Sequence, residues 1–530
     1  MQTAMITVPA AIALAPPVLM GAMAALAWRA STTARLWRHF LTLSVTALLC
    51  AAISLALQLI APIAPGAAAG ALPLPGLATS LAGGWLAVLV LFLGTVIGAF
   101  SSRYLQGEPD QSLYVGALAG VLASVQVLLL ADHWAVLIAA WALAGSLLQR
   151  LLCFYRERPF ALLAAHKKRL ADRLADLFLV VAAATAWWEV GSGSLSALRW
   201  HLVHAAASIP LQASAVCLVL AVMLRTALLP VHGWLTQVME APTPVSALLH
   251  AGVVNLGGFV LLRFAPLLEA APAARWLAVL VGVATAMVAG LVMLTRVSIK
   301  VRLAWSTVAQ MGFMVLECGL GLYSLAMLHL IGHSLYKAHA FLSSSTAVQA
   351  TTLRILHASA PASPASMIVA PVVAAMIVVA GLQFDWRAPW PLWWTGVLAL
   401  AWAPLLWMPA RGVDGPPWRW SHRLAGPAMV AALTGAALLA HALPFGVIDA
   451  PDDRAGVVAL IGLGLLHGVV VALQWRPEVL AVWRRRTYAG FYLDEFYTRA
   501  ALTLWPTRWS PAAVAGVERR GDTARLRASS

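Results

Sequence analysis

Three basic side chains stand four residues apart in the run His-Leu-Ile-Gly-His-Ser-Leu-Tyr-Lys: His329, His333 and Lys337. In an α-helix each four-residue step turns only ~40° and climbs ~6 Å, so the three stack into one ladder ~12 Å tall on a single face. Histidine titrates near neutral pH, and a lysine taken out of water gives up its proton more readily than one in solution. With water between the rungs, such a ladder can pass protons. The same spacing also suits a structural polar seam between helices, or a lysine that snorkels to an interface. Two histidines at i, i+4 can hold zinc, but His-Glu-x-x-His is absent and no third ligand lies nearby in sequence, so no metal site is assigned.

Other ionisable groups sit close to helix-breaking residues. Arg225 precedes Pro230, and an arginine in an apolar run must meet a carboxylate, carbonyls or water. His250 lies six residues after Pro244. Arg173 and Asp176 are three apart and are expected to form a supporting intrahelical pair; Asp176 is also a candidate partner for Arg225. Glu317, Glu189, His441 and His467 read more simply as polar helix ends or packed histidines.

These residues are embedded in a chain of 530 residues that is 62% hydrophobic and 10% charged, against about 25% charged in an ordinary soluble domain. Long apolar runs recur from Met5 to Trp475, many reaching the ~20 residues that a helix needs to cross hydrocarbon. They show no period-2 alternation, so the class is an all-α polytopic membrane protein, because only helices or closed barrels can satisfy the backbone in lipid. About fifteen spans are expected, at 5–28, 38–62, 80–100, 113–131, 134–153, 174–192, 209–239, 243–266, 276–295, 300–318, 322–345, 365–383, 391–409, 425–445 and 455–474. The run 209–239 is too long for one straight crossing, and Pro230 inside it predicts a kink or a broken helix. Broken helices are tolerated at membrane depth where they line a wet cavity or are covered by protein.

The formal charge of +15 is read as positive-inside bias, not as a nucleic-acid footprint, because no basic run is interleaved with exposed aromatics. With the amino terminus outside, one set of loops collects Arg29, Arg35 and Arg38; Arg156, Arg158, Lys167, Lys168 and Arg169; Arg296, Lys300 and Arg302; Arg411, Arg419 and Arg423; and, in the tail, Arg476 and Arg484 to Arg486. The opposite loops hold only Arg199, Arg263, Arg275, Arg387 and Arg454. This bias places the carboxyl terminus in the cytoplasm and the amino terminus outside. The tail from 475 to 530 mixes Tyr488, Phe491, Tyr492, Phe496 and Tyr497 with Asp494, Glu495 and Arg499, and is expected to form a short amphipathic helix on the cytoplasmic surface. The end, from about Arg519, is polar. Cys50, Cys153, Cys217 and Cys318 form no Cys-x-x-Cys pair and are read as small buried residues. The first apolar run lacks a basic region before it and is read as an uncleaved span.

From Arg225 to Phe341 the sequence resembles the antiporter-like subunits of respiratory complex I, especially subunit L. The resemblance rests on Arg-Thr-Ala-Leu-Leu-Pro, Trp234-Leu235, Ala-Pro-Thr-Pro-Val-Ser-Ala-Leu-Leu-His ending at His250, Ile299-Lys300, Gln310-Met-Gly and the ladder itself. It implies inverted repeats over spans 4–8 and 9–13, each with one broken helix, and a cation path through Arg225, His250, His329, His333 and Lys337. Three features depart from that family. Trp141 is followed by Ala142 where a key glutamate is expected, Arg225 replaces a key lysine, and the span 365–383 has no lysine. The departures, the short tail and the wording from Met239 to Asn255 resemble the membrane-subunit family of the DAB inorganic-carbon transporters.

That resemblance implies a proton-conducting (or other cation-conducting) subunit at the inner membrane. It would drive a cytoplasmic DabA-type partner, a zinc protein related to carbonic anhydrases, to turn carbon dioxide into bicarbonate. Catalysis and zinc would lie in the partner, with no cofactor in this chain, no nucleic acid bound, and higher-order assembly of the heterodimer possible in principle. The implied organisation is amino-terminal helices over 1–112, an antiporter-like core over 113–409, carboxyl-terminal helices over 410–474 and the tail over 475–530. The alternatives are a subunit of complex I, of a membrane hydrogenase or of a sodium/proton antiporter, and a non-conducting membrane anchor.

Overall fold

The computed structural model describes residues 11–29, 33–60, 72, 74–344, 362–383, 390–408, 420–476, 478 and 480–507. Arg387, Arg411 and Arg419, and the tail from 508 onward, lie outside these residues, and the side chain of Arg423 does too. The described chain is helical, and isolated β-bridges join Leu77 with Ala131 and His133 with Ser194.

The helices run in order as α1 (Ala15–Ala27), α2 (Thr33–Ile60), α3 (Leu81–Tyr104), α4 (Gln111–Leu130), α5 (Trp134–Leu152), α6 (Pro159–Val190) and α7 (Leu195–His204). There follow α8 (Ile209–Arg225), α9 (Gly233–Gln237), α10 (Thr243–Ala251), α11 (Leu256–Arg263), α12 (Ala265–Glu269), α13 (Pro272–Met293), α14 (Ile299–Leu320) and α15 (Tyr323–Leu342). The last six are α16 (Pro364–Leu382), α17 (Leu392–Trp402), α18 (Trp420–Ala442), α19 (Asp453–Trp475), α20 (Ala481–Tyr488) and α21 (Leu493–Leu504). Ten spans among the described residues are long and apolar enough to cross a membrane, with three shorter apolar helices beside them. Helices α6 and α15, of 32 and 20 residues, are long enough but carry the charges and imidazoles that lower their hydropathy. With them, every span expected from the sequence has its helix. The short α7, between two spans, had no signal in the apolar periodicity.

Burial separates centre from rim. The most apolar stretch of α4 is 83% buried and that of the α10–α11 span 89%, whereas those of α16, α18 and α19 are 22% buried. The first two are therefore wrapped by protein. The last three present apolar faces such as Ile368, Val372, Met376, Leu439 and Ile461 outward, as a lipid-facing rim requires. The tightest pair, α13 with α14, closes on small residues. A Cβ on Gly282 would stand 2.8 Å from the Gly312 carbonyl oxygen, and one on Gly312 would stand 2.8 Å from the Ala286 nitrogen. Glycine lets the two backbones touch, which is how helices associate where no hydrophobic force acts between them.

The expected break occurs. Helix α8 stops at Arg225, Ala227 adopts a left-handed φ of 56°, the Leu229–Pro230 bond is cis, and the chain resumes helically only at Gly233. A second interruption falls between α10 and α11, where residues Val253–Asn255 form a single 3₁₀ turn. In the second repeat the helix α16 runs on through Pro371. The tail forms two short helices instead of one. Phe491 and Tyr492 have φ of 56° and 57°, which turns the chain between α20 and α21.

Candidate functional site: a buried imidazole–ammonium ladder and a separate ion-pair cluster

Helix α15 holds His329, His333, Lys337 and Phe341 on one stripe, as four-residue spacing dictates. Two neighbours cover that stripe. Helix α14 supplies Glu317 near its end, whose Oε2 lies 2.7 Å from His329 Nδ1. Nearer its start it supplies the Leu303 carbonyl and the Ser306 hydroxyl, which accept hydrogen bonds from Lys337 Nζ at 2.9 and 2.8 Å. Helix α10 supplies His250, whose ring stacks on Phe341 with centroids 4.5 Å apart and planes 16° from parallel. The His329 and His333 rings are 6.0 Å apart and nearly perpendicular.

Most of the ladder is closed to bulk solvent, with 14% of the His329 side chain exposed. Lys337 and His250 are 0% exposed, Glu317 3% and His333 6%. Yet both ring nitrogens of His250, both of His333 and Nε2 of His329 have no hydrogen-bond partner among the described residues. Buried polar groups are nearly always paired with protein or water, so these nitrogens are positions where water can complete the hydrogen bonding. Asn255, at the turn that interrupts the α10–α11 span, donates to Ser334 Oγ at 2.7 Å and to the Ala251 carbonyl at 3.0 Å. This ties the bend that presents His250 to the ladder helix.

Arg225 lies elsewhere. It forms an ion pair with Asp176 of α6, donates to the Trp141 carbonyl at 2.9 Å, and places its guanidinium carbon 4.8 Å from the centre of the Trp141 ring. One turn along α6, Lys168 pairs with Asp172. Gly145 is the place of closest approach: a Cβ there would stand 3.0 Å from Asp172 Oδ2 and 3.3 Å from Arg225 Nη1. Two carboxylates and two cations thus form a neutral quartet, as burial of charge demands. The expected Arg173–Asp176 pair is not formed, because Arg173 points outward and is exposed while Asp176 turns inward to Arg225. The structure therefore brings His250, His329, His333 and Lys337 together and sets Arg225 apart, with no hydrogen bond or ion pair from Arg225 to the other four among the described residues.

Glu317 read from sequence as a polar helix end; it is one, and it also caps the ladder. His441 pairs with Asp449 at 3.2 Å, His467 meets the Met367 carbonyl at 3.1 Å, and Glu189 is half-buried at the end of α6. A junction that sequence reasoning missed lies beside the break. Lys167 Nζ contacts Asp494 of α21 at 2.5 Å, Gln237 of α9 at 3.0 Å and Thr498 at 2.8 Å, and Asp494 also takes a hydrogen bond from Gln237 at 2.5 Å. Only the neighbouring Asp494-Glu495 and Lys167-Lys168 hinted at it.

With this geometry in view, residues 131–384 match the family model for the membrane region of NADH:quinone oxidoreductase and Mrp antiporter subunits. That segment contains the break, the quartet and the whole ladder. A probable inorganic carbon transporter subunit DabB of Hydrogenovibrio crunogenus is 36% identical over 460 residues, 81% of this chain and 85% of the relative. The chain belongs to the DabB family. A second member, a probable inorganic carbon transporter subunit DabB2 of Halothiobacillus neapolitanus, is 38% identical over 443 residues, 80% of this chain and 79% of that one. The fold is also that of a solved chain in the Mrp complex from Dietzia sp. DQ12-45-1b, with a TM-score of 0.55 and 22% identity, covering 99% of this chain and 60% of that one. The protein is thus a multi-pass membrane subunit of the antiporter superfamily, and its similarity to these two DabB relatives extends well beyond residues 131–384.

Proposed function

We propose that this chain is the cation-conducting membrane subunit of an inorganic-carbon accumulation complex, and that protons (or another cation) crossing it drive a carbonic-anhydrase-like zinc partner of the DabA type. One observation carries the reading: a row of titratable side chains, Glu317 of α14 followed by His329, His333 and Lys337 of α15, lies inside the bundle of a DabB-family chain, with imidazole nitrogens that water can bridge. An ionisable group at mid-membrane costs at least ~2.5–3.5 kcal/mol, and a chain keeps four on one stripe where they serve transfer. His250 flanks the lower rungs, and the Ser306 hydroxyl gives Lys337 an exit toward the tail end of the bundle. In the proposed orientation that end is cytoplasmic, in an inner membrane, and the partner would dock there.

The Arg225–Asp176 pair is assigned a supporting role, since a guanidinium keeps its proton and cannot be a rung. The absence of a lysine from 365–383, together with Ala142, separates this chain from the glutamate–lysine switch expected of a complex I pump. The test is expression with the candidate zinc partner in a bacterium lacking carbonic anhydrase. Growth in air and copurification of the two proteins are expected. Failure of both, with the two proteins well expressed, overturns the reading.

A further inference from the structure

Helices α1, α4 and α5 enclose a half-open groove of about 510 Å³, lined by small residues such as Gly21 and Ala117 and by larger apolar ones such as Leu113 and Leu143. Its two ends differ. Where α1 stops, α4 starts and α5 stops, the lining holds Trp28 and Arg150. Elsewhere it is apolar except for Ser124, whose hydroxyl is already spent on the Gly120 carbonyl at 2.8 Å. Trp28 is 72% exposed. Arg150 is exposed and makes no hydrogen bond or ion pair with the described residues. No acidic residue lines the groove among the described residues, and Asp110, ahead of Leu113, is exposed outside its wall.

Shape and charge select the occupant. The groove follows α4 from Leu113 to Val127, ~21 Å of helix, which exceeds the ~15 Å of hydrocarbon in one leaflet. A helix of another chain, 10–12 Å across with its side chains, would enclose at least ~1,600 Å³ over that length and can enter only in part. The glycines on which a neighbouring helix would pack are already covered within the chain. A Cβ on Gly120 would stand 2.8 Å from Leu147 Cδ1, and one on Gly116 would stand 3.3 Å from Ala27 Cβ and 3.6 Å from Trp28 Nε1. A single acyl chain is narrow enough to lie along the whole groove. At its polar end the Arg150 fork suits two oxygens of a phosphate, and Trp28 suits the headgroup level of a bilayer. Arg29, next to Trp28, adds a second exposed cation. With no carboxylate in the wall, that end favours a headgroup of net negative charge over one that brings its own cation.

We propose that this groove binds one anionic phospholipid, with an acyl chain lying between α1, α4 and α5 and the phosphate held by Arg150. The lipid belongs to the leaflet on the tail side of the bundle. The site is independent of how cations move through the ladder.

Native mass spectrometry of the purified full-length protein, titrated with phosphatidylglycerol or with phosphatidylcholine of the same acyl chains, tests it. Phosphatidylglycerol is expected to bind at least tenfold more tightly. Arg150→Gln, at a side chain with no protein partner to lose, should bring phosphatidylglycerol down to the phosphatidylcholine level. Gly21→Phe fills the groove from a position where a Cβ meets nothing within 4 Å, and should weaken both lipids at least tenfold. Equal affinity for phosphatidylglycerol in the wild type and Arg150→Gln overturns the headgroup site, and unchanged affinity in Gly21→Phe overturns the groove. In intact membranes a photoreactive residue in place of the exposed Leu143 should crosslink to lipid. A crosslink to another protein chain instead assigns the groove to that chain and overturns the proposal.

Discussion

Asp494, on the last described helix, contacts Lys167 on α6 at 2.5 Å across 327 positions of sequence. Helix α6 has 32 residues, so it is ~48 Å long against ~30 Å of hydrocarbon, and its first turns, with Lys167, stand outside the membrane. Lys167 is 0% exposed and Asp494 23%. The tail is therefore fastened by a nearly buried pair next to the broken helix.

Asp494→Asn is expected to loosen the tail by about 1.5–3 kcal/mol, the range for a hydrogen bond to a charged group. Limited proteolysis in the region 476–507 checks this: faster cleavage is expected in the variant, and unchanged cleavage disproves the fastening. Lys167→Gln combined with Asp494→Asn should recover part of the loss, because no unpaired charge is then left buried.

The same junction has a pH signature. Burial lowers the Lys167 ammonium from its ordinary range, with Asp494 and then Glu495 opposing the shift. The unfolded chain then binds more protons than the folded one between the lowered value and about 10.5, so this group's contribution to stability rises with pH through that window. Asp494→Asn removes the main opposing charge, which lowers the ammonium further and widens the window downward. Lys167→Met abolishes the contribution. Melting curves between pH 7 and 10 on the three proteins should show these slopes in that order: wild type intermediate, Asp494→Asn steepest at the low end, Lys167→Met flattest.

Lys337→Ala is expected to abolish carbon accumulation while leaving the complex with its partner assembled. Lys337→Arg should not rescue it, because a guanidinium fits the two acceptors, the Leu303 carbonyl and Ser306, but does not release its proton. Glu317→Gln should reduce accumulation severely as well, since an amide can still hydrogen-bond His329 but cannot carry a proton. Uptake of labelled inorganic carbon, normalised to complex recovered, is the measurement. Full activity in Lys337→Arg would leave the lysine a structural post.

What the sequence disclosed followed from period and cost. The ladder was legible because helical spacing alone aligns His329, His333 and Lys337, and the spans were legible because hydrocarbon admits few alternatives. The Pro230 break was legible as a proline inside an overlong run. The contacts that join elements were not. His250 against Phe341, Glu317 against His329 and Asp494 against Lys167 depend on how helices pack, and no local period encodes that. The Arg173–Asp176 expectation failed for a related reason. Residues three apart are neighbours on a helix, but which face is buried decides whether they pair, and α6 turns Asp176 inward and Arg173 out.

Ala142, where the resemblance to complex I subunits implies a glutamate, can be tested by exchange. Ala142 follows Trp141, whose carbonyl already holds Arg225, and precedes by one turn Gly145, whose Cβ position lies 3.3 Å from Arg225 Nη1. The carboxylate that faces Arg225 comes instead from Asp176 on the neighbouring helix. Asp176→Asn should therefore be strongly destabilising, by about 3–5 kcal/mol, because it strands a buried guanidinium. Ala142→Glu alone adds a half-buried acid to a neutral quartet and should also destabilise. In the double variant the new carboxylate replaces the lost one, so the two changes should be sub-additive by at least about 1 kcal/mol. Melting of the four proteins in detergent measures this coupling. Strict additivity would mean that position 142 cannot reach Arg225, and that Asp176 is not its equivalent from the other side.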